Sequence, residues 1–311
     1  MKLSIEDILG ICPDFVLGVT ADGKPGCKFK RQNICMVPGT SRFVCKLDTF
    51  KVRAEPHISM SSTDTFLACP QKYALQYIDR VRPPIDKGYF WLGKALHDCI
   101  GRIEKGMPYV VPRPTEADNT SVKETEIIIL EEYLEWYRVH QTEMPIPDEY
   151  EVPFRLVTPK GRVVVGFIDG MYMNRGVMIE RKYAQSDYDK LKTRRQLSIY
   201  FAGNPEGERA QIVVYTKHSI KPLKNEKDDM DAFRLRVRAK IEEAGVAGNV
   251  KVSDYLRSEF PIEQEIAVLD VVTDMVELCR KNGVFPSYYF ACDMLDGCAF
   301  REICKYGGEQ K

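Results

Sequence analysis

Three hydrophobic patterns divide the chain. Over residues 1–57 a short amphipathic start, Ser4 to Ile11 with Ser4-x-x-Asp7 at capping-box spacing, gives way to brief apolar segments between turn signals. Those signals are Asp22-Gly23, Pro25-Gly26 and Pro38-Gly39, and they predict β-hairpins, not helices. From Ser61 the period becomes helical. Phe66, Leu67, Tyr73, Leu75 and Tyr77 mark a first helix, capped by Ser61-x-x-Asp64, with Pro70 bending it or starting its second half. Trp91, Leu92, Leu96 and Ile100 predict a second helix over residues 89–104. Ile127, Leu130, Leu134 and Tyr137 predict a third over 124–140.

The period then changes to two. Segments 151–157, 162–173 and 177–183 read as strands joined by Pro159-Lys160-Gly161 and Asn174-Arg175-Gly176, an antiparallel meander. A helix over 188–201 and an apolar strand over 210–215 follow. Segments 227–244 and 262–281 again look helical, and the tail from Phe285 is short and punctuated by cysteines. This order predicts an α/β fold: one large domain over 58–311 behind a small β-rich segment, 1–57.

Composition narrows the partners. The 311 residues carry 45 basic and 45 acidic side chains, so nucleic-acid binding would need a local basic patch. One candidate surrounds Lys190, Lys192, Arg194 and Arg195, beside Lys182 and only partly offset by Asp187 and Asp189; Lys217, Lys221 and Lys224 extend it. Tyr183, Tyr188 and Phe201 suit either base stacking or core packing. The acidic start, Met1 to Asp7, is unlike a secretory signal, and no apolar run reaches membrane-spanning length. The expectation is a cytoplasmic protein without a membrane partner. In that compartment ten cysteines favour metal binding over disulfides.

Asp169 follows the apolar run Val163 to Ile168, and Glu180 and Lys182 share one face of the next strand. If the strands pair through Asn174-Arg175-Gly176, the two carboxylates become cross-strand neighbours. Opposed carboxylates repel, and a hard divalent cation between them, Mg²⁺ or Mn²⁺, resolves the repulsion. Lys182 can then steady charge on a phosphate. The same residue types also occur on solvated hairpins.

The cysteines form two sets. Cys69 in Ala68-Cys69-Pro70 and the evenly spaced Cys292, Cys298 and Cys304 supply four thiolates, enough for a [4Fe–4S] cluster or tetrahedral zinc joining the chain's two ends. Cys12, Cys27, Cys35 and Cys45 either hold a structural zinc or are buried free thiols. Cys99 and Cys279 have apolar neighbours and read as core residues.

Taken in order, Gly93-x-x-x-His97, Gly166-x-Ile168-Asp169, Glu180-x-Lys182 and Gln196-x-x-x-Tyr200 resemble the RecB-like branch of the PD-(D/E)XK nucleases. Ser61 to Tyr77 around Cys69-Pro70 and the terminal cysteine triplet resemble that branch's cluster segments, so the likeness spans about 59–306. It extends to CRISPR-associated and phage RecB-like exonucleases and to AddB-type subunits. It implies a restriction-endonuclease-like core, a mixed central sheet flanked by helices with a helical insertion. It makes His97, Asp169, Glu180 and the Arg181 carbonyl ligands of Mg²⁺ or Mn²⁺, and Lys182 the catalytic lysine. Gln196 and Tyr200 contact DNA or brace the site, and iron–sulfur is favoured over zinc for the four cysteines. The gaps of five residues between the terminal cysteines depart from the C-x2-C pair common in the family.

The function so implied is a metal-dependent exonuclease acting on DNA ends or single strands in recombination, repair, or CRISPR or phage DNA processing. Partners would be a helicase, a recombinase or CRISPR proteins, and no P-loop occurs in this chain. Two other readings stand beside it: a catalytically silent DNA-binding or scaffolding subunit of the same fold, and a zinc protein whose N-terminal hairpins dock a partner.

Overall fold

The computed structural model describes residues 58–81, 88–115, 120–172, 176–185, 190–226, 229–288, 292, 298–301 and 303–304, together with five short strands nearer the N-terminus. Those strands are β1 (Leu17–Val19), β2 (Pro25–Cys27), β3 (Lys30–Arg31), β4 (Ile34–Cys35) and β5 (Phe43–Val44). They pair antiparallel as β1–β2 and β3–β4–β5; Asp22-Gly23 and Pro38-Gly39 fall between paired strands as predicted, whereas Pro25-Gly26 lies within β2 and is not a turn. The amphipathic start at Ser4 to Ile11 lies outside the described residues, as do Cys12 and Cys45.

A five-stranded sheet organises the rest. Its strands are β6 (Glu149–Val157), β7 (Val163–Tyr172), β8 (Val177–Ala184), β9 (Arg209–Thr216) and β10 (Val250–Leu256), in spatial order β10-β9-β8-β7-β6. The predicted meander is β6-β7-β8, all antiparallel. β8 and β9 run parallel, so the chain must cross over between them, and helix α5 (Lys190–Gly203) makes that crossing. The sheet is therefore mixed.

Helices cover both faces. On one lie α3 (Gly88–Glu104), α4 (Glu124–His140) and α6 (Met230–Asn249), with Leu96, Leu130, Tyr137 and Val237 packed against Ile179, Val213 and Tyr215. On the other lie α5 and α7 (Ile262–Asn282), with Leu197, Tyr200, Phe201 and Leu269 against Ile168, Met178 and Ile212. Alternation along β8 sends Ile179 to the first core and Met178 to the second, so consecutive residues of this strand serve opposite faces. The β6–β7 turn is tied to α7: the Thr158 hydroxyl bonds the buried Asp270 carboxylate, which also accepts from the Lys160 amide at 3.3 Å.

The first predicted helix is two. α1 (Met60–Ala68) ends at the extended Cys69, Pro70 opens α2 (Pro70–Tyr73), and a π-turn continues over Ala74–Ile78. The cap is Ser59, whose Oγ accepts from the Ser62 amide at 3.1 Å, in place of Ser61 with Asp64. Ile58 decides this: its amide bonds Val163 and its carbonyl bonds Val165, which holds it extended beside β7 until residue 59. The sequence pattern also missed β10, which lies on the sheet edge and is exposed at most positions.

Candidate active site

The site forms where β7 and β8 part. Their ladder pairs Tyr172 with Val177, Met171 with Met178 and Gly170 with Ile179, then stops. One further step of this register sets Asp169 opposite Glu180. There the Arg181 amide donates to Asp169 Oδ2 at 2.8 Å, a carboxylate oxygen taking the place of a strand carbonyl. The expected cross-strand pair of acids thus sits at the mouth of a splay between strands. On the other side of Asp169 the β6 ladder also skips a pair, at Glu151, whose φ of 51° places it in the left-handed region.

Glu180 and Lys182 face α5, and two spacings match. Residues i and i+2 on a strand are about 6.6 Å apart, and residues i and i+4 on a helix rise about 6 Å. Gln196 and Tyr200 on α5 therefore meet Lys182 and Glu180 in register. Lys182 Nζ bonds Glu180 Oε1 and donates to Gln196 Oε1 at 3.1 Å. Gln196 Nε2 donates to the Tyr200 hydroxyl at 2.6 Å, and that hydroxyl lies 2.8 Å from Glu180 Oε2 and 2.9 Å from the Phe167 carbonyl. Four side chains close a ring. Gly166 makes room behind it: a Cβ there would meet the Phe154 ring at 2.5 Å, and that ring packs edge-on against Tyr200.

Burial raises the pKa of both acids, and Asp169 raises that of Glu180 further, while Lys182 opposes the shift in each. His97 enters from α3, with Nδ1 4.0 Å from Asp169 Oδ2. Burial and then the Arg181 charge lower its pKa to about 4, so its ring is neutral at pH 7. Among the described residues no three His, Cys, Asp or Glu side chains converge into a metal-holding group, and the ammonium beside Glu180 is that of Lys182. The donor chemistry nevertheless fits a hard divalent cation. Glu180, the half-buried Asp169 and a neutral imidazole nitrogen border the splay, and one ammonium between two carboxylates leaves a negative charge unanswered.

The Arg181 side chain turns to the opposite face of the sheet, where sequence reasoning placed nothing. Its guanidinium binds both oxygens of Glu104 at 2.8 Å, and Tyr137 donates to Glu104 at 2.6 Å. Glu104 ends α3, two turns beyond His97, and only the fold reveals the pairing.

The predicted DNA contacts divide. Arg194 is exposed. Arg195 instead ties helices together, its guanidinium bonded to Asp64 of α1 and to Glu265 of α7 at 2.9 Å. Lys190 and Lys192 lie on α5, their side chains outside the description. Phe201 is core, Tyr183 packs against the first core, and Tyr188 is outside the described residues.

Cys69, Cys292, Cys298 and Cys304, all among the described residues, do not converge into a metal-holding group, although the segments that carry them approach one another. Cys69 and Cys304 are buried, and the Cys298 amide donates to the Cys292 carbonyl at 3.1 Å. Just after Cys69, the Gln71 amide bonds the Pro286 carbonyl at 3.1 Å, and Tyr73 stacks on Phe285. Cys99 is buried in the first core and Cys279 packs beside Phe66 and Val276, as their apolar neighbours predict. Cys27 and Cys35 fall on β2 and β4, with their side chains outside the description.

Comparison with known proteins completes the picture. No curated protein matches the chain. Among solved structures, the crystal structure of SSO0001 is similar at a TM-score of 0.39 and 14% identity, over 85% of this chain and 98% of that one. A likeness at that score carries no argument here. The family model of the PD-(D/E)XK nuclease superfamily matches residues 57–305, which hold the whole five-stranded sheet and every element of the splayed acidic site. The chain belongs to the PD-(D/E)XK nuclease superfamily.

Proposed function

We propose that this protein is a divalent-metal-dependent exonuclease of the RecB-like branch, hydrolysing phosphodiester bonds at DNA ends or in single strands during recombination, repair, or phage or CRISPR DNA processing. Members of the superfamily generally use Mg²⁺ or Mn²⁺. The observation that carries the reading is the closed ring of Glu180, Lys182, Gln196 and Tyr200 beside Asp169 and His97. Asp169, Glu180, the neutral His97 ring and the Arg181 carbonyl hold the cation. When bound, it polarises the phosphate and acidifies a water.

The protein's own groups do the positioning. Tyr200 and Gln196 fix the Glu180 and Lys182 rotamers, so that one Glu180 oxygen keeps a constant aim. Lys182 carries its charge to where negative charge grows on the phosphate. The splay gives the strand end access between β7 and β8.

The test is digestion of end-labelled DNA with Mg²⁺, Mn²⁺ or EDTA. Asp169→Ala and Lys182→Ala each reduce cleavage at least a thousandfold, about 4 kcal/mol in barrier, while far-ultraviolet circular dichroism stays unchanged. Cleavage at the wild-type rate by either variant sinks the assignment. Accumulation of mononucleotides from one end separates an exonuclease from an internal cutter.

The same reading gives Cys69, Cys292, Cys298 and Cys304 a [4Fe–4S] cluster joining α2 to the tail. The Gln71–Pro286 bond and the Tyr73–Phe285 stack support it, because they already bring those segments together. Anaerobic purification followed by visible absorption and iron and sulfide analysis decides it. Zinc without sulfide is the contrary result.

A further inference from the structure

A second concavity lies beyond the end of β8, on the face of the sheet that carries Arg181 and Tyr183 and opposite the face that carries Lys182. β8 runs on from Lys182 through Tyr183 to Ala184, and the Lys217 amide bonds the Ala184 carbonyl at 2.8 Å, so β8 and β9 end together. Beyond their carboxyl ends opens a cavity of about 490 Å³, within the range of pockets that take small ligands. Gln185, three residues past Lys182, lines it, which at strand rise is about 10 Å along β8 from that lysine.

Its lining is of two kinds. Tyr183, Ile220 and Pro222 give planar and apolar surface. Lys123, Lys217 and Lys221 give positive charge, with Glu126 the one acid. Lys217 bonds Glu126 at 3.1 Å and so accounts for that charge. Lys123 and Lys221 are exposed and have no carboxylate partner among the described residues. Paired cations beside a flat apolar wall suit a nucleotide, which needs both in one place.

We propose that this cavity is a nucleotide subsite holding the DNA strand that leads to the hydrolysis site, its phosphate between Lys123 and Lys221 and its base against Tyr183, Ile220 and Pro222. The proposal rests on the nuclease reading for its substrate class. Contact here at a fixed distance from the splay steadies a single strand, because a rigid duplex does not turn from the splay into a pocket beyond the sheet's end.

The experiment uses the full-length protein and a fluorescein-labelled twelve-residue oligothymidylate. Binding is read by anisotropy in EDTA across a salt series for the wild type, for Lys123→Gln with Lys221→Gln, and for Ser219→Trp. The Trp fills the cavity without changing charge. The expected result is about a tenfold weaker complex for the double variant, with the salt slope reduced by about 0.7, the value for one phosphate of a single strand. Ser219→Trp weakens binding with its salt slope preserved. In parallel, Mn²⁺-dependent hydrolysis of bis(p-nitrophenyl) phosphate, which needs only the hydrolysis site, proceeds at the wild-type rate in all variants, while KM for the oligonucleotide rises about tenfold.

Anisotropy equal to wild type in both variants overturns the subsite, whatever the cleavage assays give. An anisotropy difference in a protein that hydrolyses neither substrate overturns the nuclease reading and leaves the subsite standing.

Discussion

Glu180 and Arg181 are neighbours on one strand, both charged and both buried, and they have opposite fates. Arg181 points among α3 and α4 and meets Glu104 there, their side chains 3% and 0% exposed. One cation meets one anion, Arg181 Nη2 donating to both carboxylate oxygens, with a Tyr137 hydroxyl on the acid and the Tyr150 ring under the guanidinium at 5.4 Å. Glu180 points towards α5 and is 2% exposed, but its partner Lys182 is 18% exposed and also serves Asp169, which lies opposite. Two carboxylates share one ammonium. A buried charge pair that balances holds the fold, whereas a buried group of charges that does not balance is a site waiting for a cation. Burial alone does not tell them apart; the stoichiometry of charge does.

Breaking the balanced face should have the larger consequence. Arg181→Ala leaves Glu104 buried without its partner, a change that costs about 3–5 kcal/mol. In urea titrations the midpoint should fall accordingly, and Arg181→Met with Glu104→Leu should recover most of it. An Arg181→Ala protein as stable as wild type would show that the pair is not structural. The unbalanced face is more tolerant of change. Tyr200→Phe removes the hydroxyl at 2.8 Å from Glu180 and, at about 2 kcal/mol for a hydrogen bond to a charged group, should slow cleavage roughly thirtyfold. Its stability should change far less than that of Arg181→Ala. A rate loss restored by higher metal concentration would mark Tyr200 as a positioning residue that holds Glu180 for its ligand.

Much of this contrast could be read in the chain. Periodicity located α3, α4 and the β6-β7-β8 meander to within a few residues, because each buries one continuous apolar face. The spacing of Glu180 and Lys182, and of Gln196 and Tyr200, placed each pair on one face of its element. The register through the turn after Tyr172 put Asp169 opposite Glu180. What stayed hidden depends on distant partners. Arg181 and Glu104 are 77 residues apart, and nothing local marks either as buried. Arg195 looked like a DNA contact because its neighbours are basic, yet Asp64 and Glu265, from two other helices, enclose it. β10 was missed because Asp254 interrupts the alternation of Val250, Val252 and Leu256 and most of this edge strand is exposed.

The smallest effect in this series is also the most discriminating, because its sign is unusual. Asp169 is half-buried, and the loss of solvation around it holds its carboxyl pKa above the ordinary value despite Lys182 and the Arg181 amide. A carboxyl whose pKa is raised on folding contributes stability below its unfolded pKa and loses it as pH rises through the folded value. At pH 7 in EDTA, then, the charged Asp169 weakens the folded state. Asp169→Asn keeps an oxygen to accept from the Arg181 amide and removes the charge, so it should stabilise the protein by about 1 kcal/mol, or roughly 2–4 °C in melting temperature for a domain this size. The gain should shrink as pH falls towards the ordinary carboxylate range, where the wild-type group is neutral too. Adding Mg²⁺ or Mn²⁺ should reverse the order, raising the wild-type melting temperature and leaving that of Asp169→Asn nearly still. Glu104→Gln should instead destabilise the protein at pH 7, because there the charge is matched by Arg181. If Asp169→Asn melts at or below wild type in EDTA at pH 7, the two faces of β8 do not differ in charge balance, and Asp169 is held by its neighbours as firmly as Glu104 is by Arg181.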